Sequence, residues 1–140
     1  MHRLPDASAR PVLERAKARL DTLVLYPAPV RIGGVRIVVL PLFFRIPPFR
    51  RYTGYALWRT ILLRYPPGEG TSDDLLTHEL CHVWQGQHRR WHMLWTYIVT
   101  RYGRNPYERE ARWAVSQTRA AQPNSFREGR ALPGGILKPK

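Results

Sequence analysis

The chain has few cysteines, few acidic residues and no long apolar run, and each shortage excludes a class of protein. Its 140 residues include one cysteine, Cys81, so no intramolecular disulfide can form, which fits a reducing compartment. The longest apolar runs, residues 37–44 and 93–99, are too short to cross a bilayer. Residues 1–10 lack the apolar stretch of a signal peptide. We therefore expect a single cytoplasmic domain.

The shortage of acidic residues leaves a net charge of +13, from 23 basic and 10 acidic side chains. The excess is uneven: residues 65–110 hold five Arg and six acidic residues, whereas the remainder holds 18 basic and four acidic residues. Such a surface fits a polyanionic partner, either nucleic acid or an anionic membrane face. It fits a surface of solvated arginines equally well.

Two histidines and a glutamate form an H-E-x-x-H pattern at residues 78–82. On an α-helix His78 and His82 lie on one face, about 6 Å apart at Cβ, so both imidazoles can share one metal ion. Glu79 lies about 100° round the helix. Its carboxylate can take a proton from a zinc-activated water and pass it to a leaving amine. This pattern is typical of zinc metallopeptidases, although two histidines without the glutamate would more often be core residues.

The residues around the motif predict the helix that carries it. Thr71 or Ser72 can cap its start, and two aspartates follow in the first turn, so we predict a helix over residues 72–89. Gln85 lies one turn beyond His82, on the ligand face. It can orient a ligand, bind substrate or satisfy a buried backbone group, and the sequence leaves these roles open.

A catalytic zinc site needs a third protein ligand, which must come from elsewhere in the chain. Glu108 and Glu110 follow on a helix predicted over residues 105–120 and point about 200° apart on it. Glu108 shares a face with small and apolar residues that should pack inward, so we predict Glu108 as the ligand. In the alternative, Asn105 caps the helix and Glu108 completes a capping box, which would leave Glu110 as the ligand.

The remaining segments predict a small α+β domain over residues 1–121. A short antiparallel sheet is expected to pack on the active-site helix and on the second, glutamate-bearing helix. We predict an amphipathic N-terminal helix over residues 9–24. The β region covers residues 29–64 and includes a hairpin around the glycine pair at 33–34.

Two segments after the motif have less specific patterns. A helix predicted over residues 91–102 carries an aromatic stripe, which is usually core, with a membrane interface as the alternative. The polar segment 122–140 is rich in Pro and Gly and is expected to be a disordered tail.

Together the two motifs resemble the gluzincin clan of zinc metallopeptidases, which pair H-E-x-x-H with a downstream glutamate. More narrowly, residues 78–85 (H-E-L-C-H-V-W-Q) and 105–111 (N-P-Y-E-R-E-A) are similar to short bacterial H-E-x-x-H-x-x-Q proteins. These are akin to the minigluzincins and to the metallopeptidase-like core domain of contractile injection systems. The resemblance implies the histidine pair and Glu108 as zinc ligands, and Glu79 as the general base.

The resemblance covers residues 30–120, and it implies that the β segment 54–64 lines the cleft. One position departs from the family pattern. An Asp often follows the alanine of the E-x-x-A motif and braces a ligand histidine, whereas Arg112 occupies that position here. Loss of such support commonly lowers metal affinity or activity by about ten- to a hundredfold.

These observations predict a zinc-dependent metallopeptidase that hydrolyses peptide bonds of a peptide or protein substrate, with water activated by zinc and Glu79. The first rival is a basic protein that binds nucleic acid or membranes and has a structural or vestigial zinc site. Its binding should weaken steeply with salt. The second rival is a metal-free structural protein whose histidines belong to the core.

Overall fold

The computed structural model describes residues 2–99 and 105–119, which form three α-helices and a four-stranded sheet. This confirms the small α+β class. In chain order the elements are β1 (His2–Arg3), α1 (Asp6–Leu20), β2 (Arg36–Val39), β3 (Gly54–Leu57), β4 (Thr60–Leu63), α2 (Asp73–Val99) and α3 (Pro106–Arg119). Two short 3-10 turns, Phe43–Arg45 and Phe49–Arg51, lie between β2 and β3. The predicted tail, residues 122–140, lies outside the described residues.

The sheet is mixed, so the prediction of an antiparallel sheet is wrong for one of the described pairings. The strand order is β1-β2-β4-β3, with β2 and β4 parallel and the other neighbours antiparallel. Parallel neighbours need a crossover connection between them. Here the chain between β2 and β4 supplies the crossover and then adds β3 outside β4. As a result β3 is an edge strand, with one side of its backbone turned away from the sheet.

The hairpin predicted around Gly33 and Gly34 is wrong. Residues 30–35 form an irregular turn rather than a strand. The Arg59 side chain lies against Gly34, where a Cβ atom would come within 2.8 Å of Arg59 Nη2. Arg59 also donates to the Gly33 carbonyl at 3.1 Å. Gly34 therefore makes room for a side chain from the β3–β4 turn, whereas a Cβ atom at Gly33 would meet nothing within 4 Å.

The core lies between one face of the sheet and the three helices. The sequence predicts α1 over residues 9–24. It begins three residues earlier, directly after Pro5, and it ends four residues earlier, at Leu20. Its apolar face packs on α2 and on β2. The largest buried side chains of this core come from all layers: Leu20, Ile37, Ile61, Leu63, Leu76, Leu80 and Trp84.

α2 carries the motif and continues beyond a kink at Arg89, where φ is −136° and ψ is 41°. The helices predicted over residues 72–89 and 91–102 are thus two parts of one kinked element, and residues 100–102 lie outside the described ranges. The expectation that the aromatic stripe is core is wrong for Trp91 and Trp95, which are 76 % and 64 % exposed. Among the helices described here, none has the length and apolarity needed to cross a membrane.

A buried arginine joins the three helices. Arg19 is 5 % exposed, and its guanidinium donates to Asp74 Oδ1 at 2.9 Å and to Thr118 Oγ1 at 3.1 Å. Arg119 pairs with the other oxygen of Asp74. Burial opposes the ionisation of Asp74, but the two arginines outweigh it and lower the pKa of this carboxyl. These contacts fix α3 against the first turn of α2, and they thereby set how the two helices approach each other.

Candidate metal centre

The side chains that could bind a metal ion come from the facing surfaces of α2 and α3. Ser72 caps α2, since its Oγ accepts a first-turn backbone N–H at 3.2 Å, and the helix places His78 and His82 one turn apart. Asn105 caps α3 in the same way, with its Oδ1 accepting a backbone N–H at 2.9 Å. Glu108 follows in the first turn of α3 and faces the histidines.

The two histidine Nε2 atoms and the Glu108 carboxylate form a small triangle, in which each histidine approaches a different carboxylate oxygen. His82 Nε2 is 2.9 Å from Glu108 Oε1, and His78 Nε2 is 3.2 Å from Glu108 Oε2. The two Nε2 atoms are 3.1 Å apart. Ligand atoms around a tetrahedral zinc ion, at bond lengths of about 2.0–2.1 Å, lie about 3.3 Å from one another. The spacing is therefore close to that of three ligands around one ion, and this group could hold a metal ion.

Gln85 determines which nitrogen of His82 faces this triangle. The Gln85 amide nitrogen donates to the Tyr107 carbonyl at 2.9 Å and to Glu110 Oε2 at 2.7 Å, and both partners only accept. Gln85 Oε1 must then face His82, whose Nδ1–H donates to it at 2.8 Å. With the proton on Nδ1, the lone pair of Nε2 points toward His78 and Glu108. Of the roles left open by the sequence, these contacts correspond to orienting a ligand and satisfying a backbone carbonyl.

Glu110, the alternative third ligand, lies on the opposite side of this network. Its Oε2 accepts hydrogen bonds from Gln85 and, at 2.7 Å, from the Tyr26 hydroxyl. Burial of the phenol and its bond to this carboxylate raise the pKa of Tyr26. The structure thus brings Glu108 to the histidines, and it brings Glu110 to the side chains that support His82.

Glu108 and His82 each stabilise the charged form of the other. Burial opposes the ionisation of Glu108, yet the hydrogen bonds with His78 and His82 hold the pKa of this carboxyl well below its usual range. Burial likewise opposes protonation of His82, but the Glu108 carboxylate outweighs it and raises the pKa of the imidazole. The centre therefore favours a cation, and a proton and a metal ion compete for the same nitrogen.

Glu79 lies beside the histidine pair, between α2 and the edge strand β3, and is 4 % exposed. Gly54 makes this position possible, because a Cβ atom there would lie 2.8 Å from Glu79 Oε1. Burial raises the pKa of Glu79, while the two histidines and a backbone hydrogen bond from Ala56 limit the rise. A carboxylate with increased proton affinity next to a metal centre is suited to accept a proton from water.

An open cleft of about 430 Å³ gives access to His78 and Glu79. One wall is formed by residues 51–54, which lead into β3, and the facing walls by the first turns of α2 and by α3. Arg112 lines the α3 wall. The residue that stands in place of the Asp expected from the family resemblance therefore faces the cleft.

Two residues of this site, Tyr26 and Arg51, carried no functional prediction in the sequence, and Gly54 was expected only as part of the β segment that lines the cleft. Tyr26 reaches Glu110 across 84 positions, and Arg51 lines the cleft from a segment without a regular pattern. Gly54 alone had a usable signal, because a glycine at the start of a predicted strand often marks the close approach of another group.

Comparisons with models of protein families, with curated proteins and with solved structures find no match for this chain. The function is therefore inferred from the geometry of the site. The likeness to the gluzincins remains a hypothesis that is based on the two sequence motifs.

Proposed function

We propose that the chain is a zinc-dependent metallopeptidase of the gluzincin type. The observation that supports it best is the placement of the His78, His82 and Glu108 ligand atoms within 4.8 Å of one another, beside the buried Glu79. Two imidazoles and one carboxylate are a ligand set used by catalytic zinc sites, which keep a further position open. The choice of zinc is part of the proposal, since N/O ligands also accept other divalent metals.

In this proposal the side chains of the site have separate tasks. Zinc, when bound by His78, His82 and Glu108, would acidify water and polarise the substrate carbonyl. Glu79 accepts the proton of the attacking water and donates it to the leaving amine. Gln85 keeps the His82 proton on Nδ1, so that Nε2 remains available as a ligand.

The edge strand β3 supports a peptide as the substrate. Extended peptides add to exposed sheet edges through backbone hydrogen bonds. The first residue of β3, Gly54, lines the cleft, and a Cβ atom there would lie 2.8 Å from Glu79 Oε1. A peptide paired along this strand would pass next to Glu79 and His78.

Metal analysis is the first test. The purified wild type should contain about one zinc per chain, and His82→Ala and Glu108→Ala should each lose it, because a three-ligand site rarely retains zinc on two. Glu110→Ala compares the alternative glutamate: it should still bind zinc, with at most a reduced affinity, because Glu110 contacts Gln85 and Tyr26. Zinc lost in Glu110→Ala but kept in Glu108→Ala would identify Glu110 as the third ligand in place of Glu108. A metal-free wild type would refute the proposed zinc centre.

Hydrolysis is tested with a peptide mixture of diverse sequence, whose products are read by mass spectrometry. The wild type should cut it, whereas Glu79→Gln should retain zinc and lose cleavage, because the amide cannot accept the proton. Undiminished cleavage by Glu79→Gln would remove Glu79 from the mechanism.

A second candidate function is binding to an anionic membrane surface. Trp91 and Trp95 are exposed one turn apart beyond the α2 kink, and the Arg90 guanidinium lies 3.5 Å from the centre of the Trp58 ring. Exposed tryptophans next to basic side chains fit a lipid interface.

Sedimentation with phosphatidylserine vesicles tests this function. Binding should fall with salt and in the double variant Trp91→Ala/Trp95→Ala. It should persist in Trp113→Ala, which changes an exposed tryptophan on α3. Binding to duplex DNA without binding to vesicles would instead assign the basic surface to nucleic acid.

A further inference from the structure

The cleft over Glu79 is lined by three arginines, from opposite walls. Arg51 precedes β3 on one wall, and Arg112 and Arg119 belong to α3 on the other. Positive side chains on facing walls of one cleft create a local field that attracts an anion. The cleft thus carries a charge preference in addition to its candidate catalytic groups.

The acidic side chains in this cleft do not cancel that field. Asp74 is paired with the buried Arg19 and with Arg119, so its single negative charge is shared by two guanidinium groups and cannot offset the other arginines. Glu79 lines the cleft with only 4 % of its surface exposed, and it is one carboxyl facing the guanidinium groups of both walls. Within residues 2–99 and 105–119, Arg51 and Arg112 take part in no ion pair.

The position of these two arginines distinguishes them from the other basic residues of the surface. Arg109 is also exposed on α3, three residues before Arg112, but it does not line the cleft, and neither does Arg50 beside Arg51. A general excess of positive charge would act through all four side chains alike. A substrate site would depend on the pair in the cleft.

We propose that Arg51 and Arg112 bind a carboxylate of the peptide substrate near its scissile bond, so that the protein prefers acidic peptides. Guanidinium groups bind carboxylates through paired, charge-assisted hydrogen bonds. The carboxylate comes from an Asp or Glu side chain or from the C-terminus of the peptide. This inference deepens the proposed peptidase function and rests on it.

Binding is measured first, because it does not require turnover. Full-length Glu79→Gln protein, with zinc added, is titrated with peptides that differ only in two central residues: Glu-Glu, Gln-Gln or Lys-Lys. A neutral fluorophore reports binding through anisotropy. The Glu-Glu peptide should bind about tenfold more tightly than the Gln-Gln peptide, the effect of one or two partly exposed charge-assisted contacts. This preference should decrease with added salt.

Arginine variants locate the effect. Arg51→Gln/Arg112→Gln should abolish the preference, whereas the matched pair Arg50→Gln/Arg109→Gln should keep it and lose only a general electrostatic contribution. Equal losses in both pairs would overturn the inference. So would a parent protein that neither prefers the Glu-Glu peptide nor binds less tightly when the peptide C-terminus is amidated. A C-terminal amide on the peptide distinguishes the two carboxylate sources: loss of binding assigns the C-terminus, and unchanged binding assigns the side chain.

Two further outcomes separate this inference from the proposed function. Hydrolysis by the wild type without any preference for acidic peptides would refute the substrate class and leave the peptidase standing. Selective binding without hydrolysis would leave an acidic-peptide site and refute the peptidase. A single-stranded oligonucleotide that displaces the peptide through Arg51 and Arg112, and binds more tightly, would show a phosphate site and overturn the peptide inference.

Discussion

Replacing Gln85 by leucine should remove the hydrogen bond that orients the His82 imidazole. Leucine has nearly the volume of glutamine, but it offers no acceptor to His82 Nδ1 and no donor to the Tyr107 carbonyl. Without that acceptor the imidazole can carry its proton on Nε2, and a protonated Nε2 cannot bind a metal ion. Metal affinity should therefore fall even though every candidate ligand is still present.

The expected magnitudes follow from the three hydrogen bonds that disappear. Removing the partner that orients a ligand histidine commonly costs about ten- to a hundredfold in metal affinity. Gln85 is 0 % exposed, so the His82 N–H loses this acceptor away from water. The Tyr107 carbonyl lies in the first turn of α3 and still accepts a backbone N–H of that helix. One such buried group costs about 1–3 kcal/mol. Glu110 keeps its bond from Tyr26, and we expect the metal-free protein to lose about 1–3 kcal/mol of unfolding free energy.

Two assays follow these effects separately. Competition with a chromophoric chelator measures zinc affinity on the folded protein, and urea unfolding measures the stability of the metal-free form. Gln87→Leu is the matched control, because Gln87 bonds to the backbone of Arg31 and has no contact with the centre. It should bind zinc like the wild type. A folded Gln85→Leu protein with wild-type zinc affinity would refute the orienting role of Gln85.

Three further substitutions test the surroundings of the centre. Gly54→Ala should lower peptide hydrolysis about tenfold or more without loss of zinc, since its Cβ would lie 2.8 Å from Glu79 Oε1. Gly33→Ala meets nothing within 4 Å and is the control; equal activity of the two variants would contradict the contact. Asp74→Asn should lower the unfolding free energy at neutral pH by about 1–2 kcal/mol, because it deprives the buried Arg19 of its counter-charge. Since the Asp74 pKa is lowered in the fold, the difference in unfolding free energy between wild type and variant is present above about pH 4 and is lost as the pH falls further. Denaturant unfolding at several pH values measures this difference. A difference that persists in acid would contradict the ion pair. Tyr26→Phe should cost about 1 kcal/mol through the lost bond to Glu110; an unchanged midpoint in thermal unfolding would show that this bond adds no stability.

Several features could be predicted because they depend on neighbours along the chain. Helical periodicity is local, so the spacing of His78 and His82 was enough to place both on one face of α2. Ser72 and Asn105 carry side chains that cap helices, and α3 begins and ends within one residue of its predicted range. The break between two helical segments was also expected close to the kink at Arg89.

The sheet shows where this local reasoning fails. Alternating apolar residues indicate strands, but they do not specify which strand is the partner or its direction. β2 pairs in parallel with β4, where Arg36 lies opposite Thr60, and the intervening chain crosses over to place β3 at the edge. That position depends on packing against α2, which no local pattern contains.

The sequence by itself identified the two histidines as candidate ligands, Glu79 as the neighbouring carboxyl and two downstream glutamates as candidates for the third ligand. It could do so because spacing on a helix fixes which residues share a face. The sequence favoured Glu108 over Glu110, but only the tertiary structure shows that Glu108 lies beside the histidines. Their selection depends on how α3 lies against α2, which the buried Arg19 holds in place through Asp74 and Thr118. Tertiary structure likewise gathered the arginines at the cleft, since residues far apart in sequence become neighbours only when packing brings their elements together.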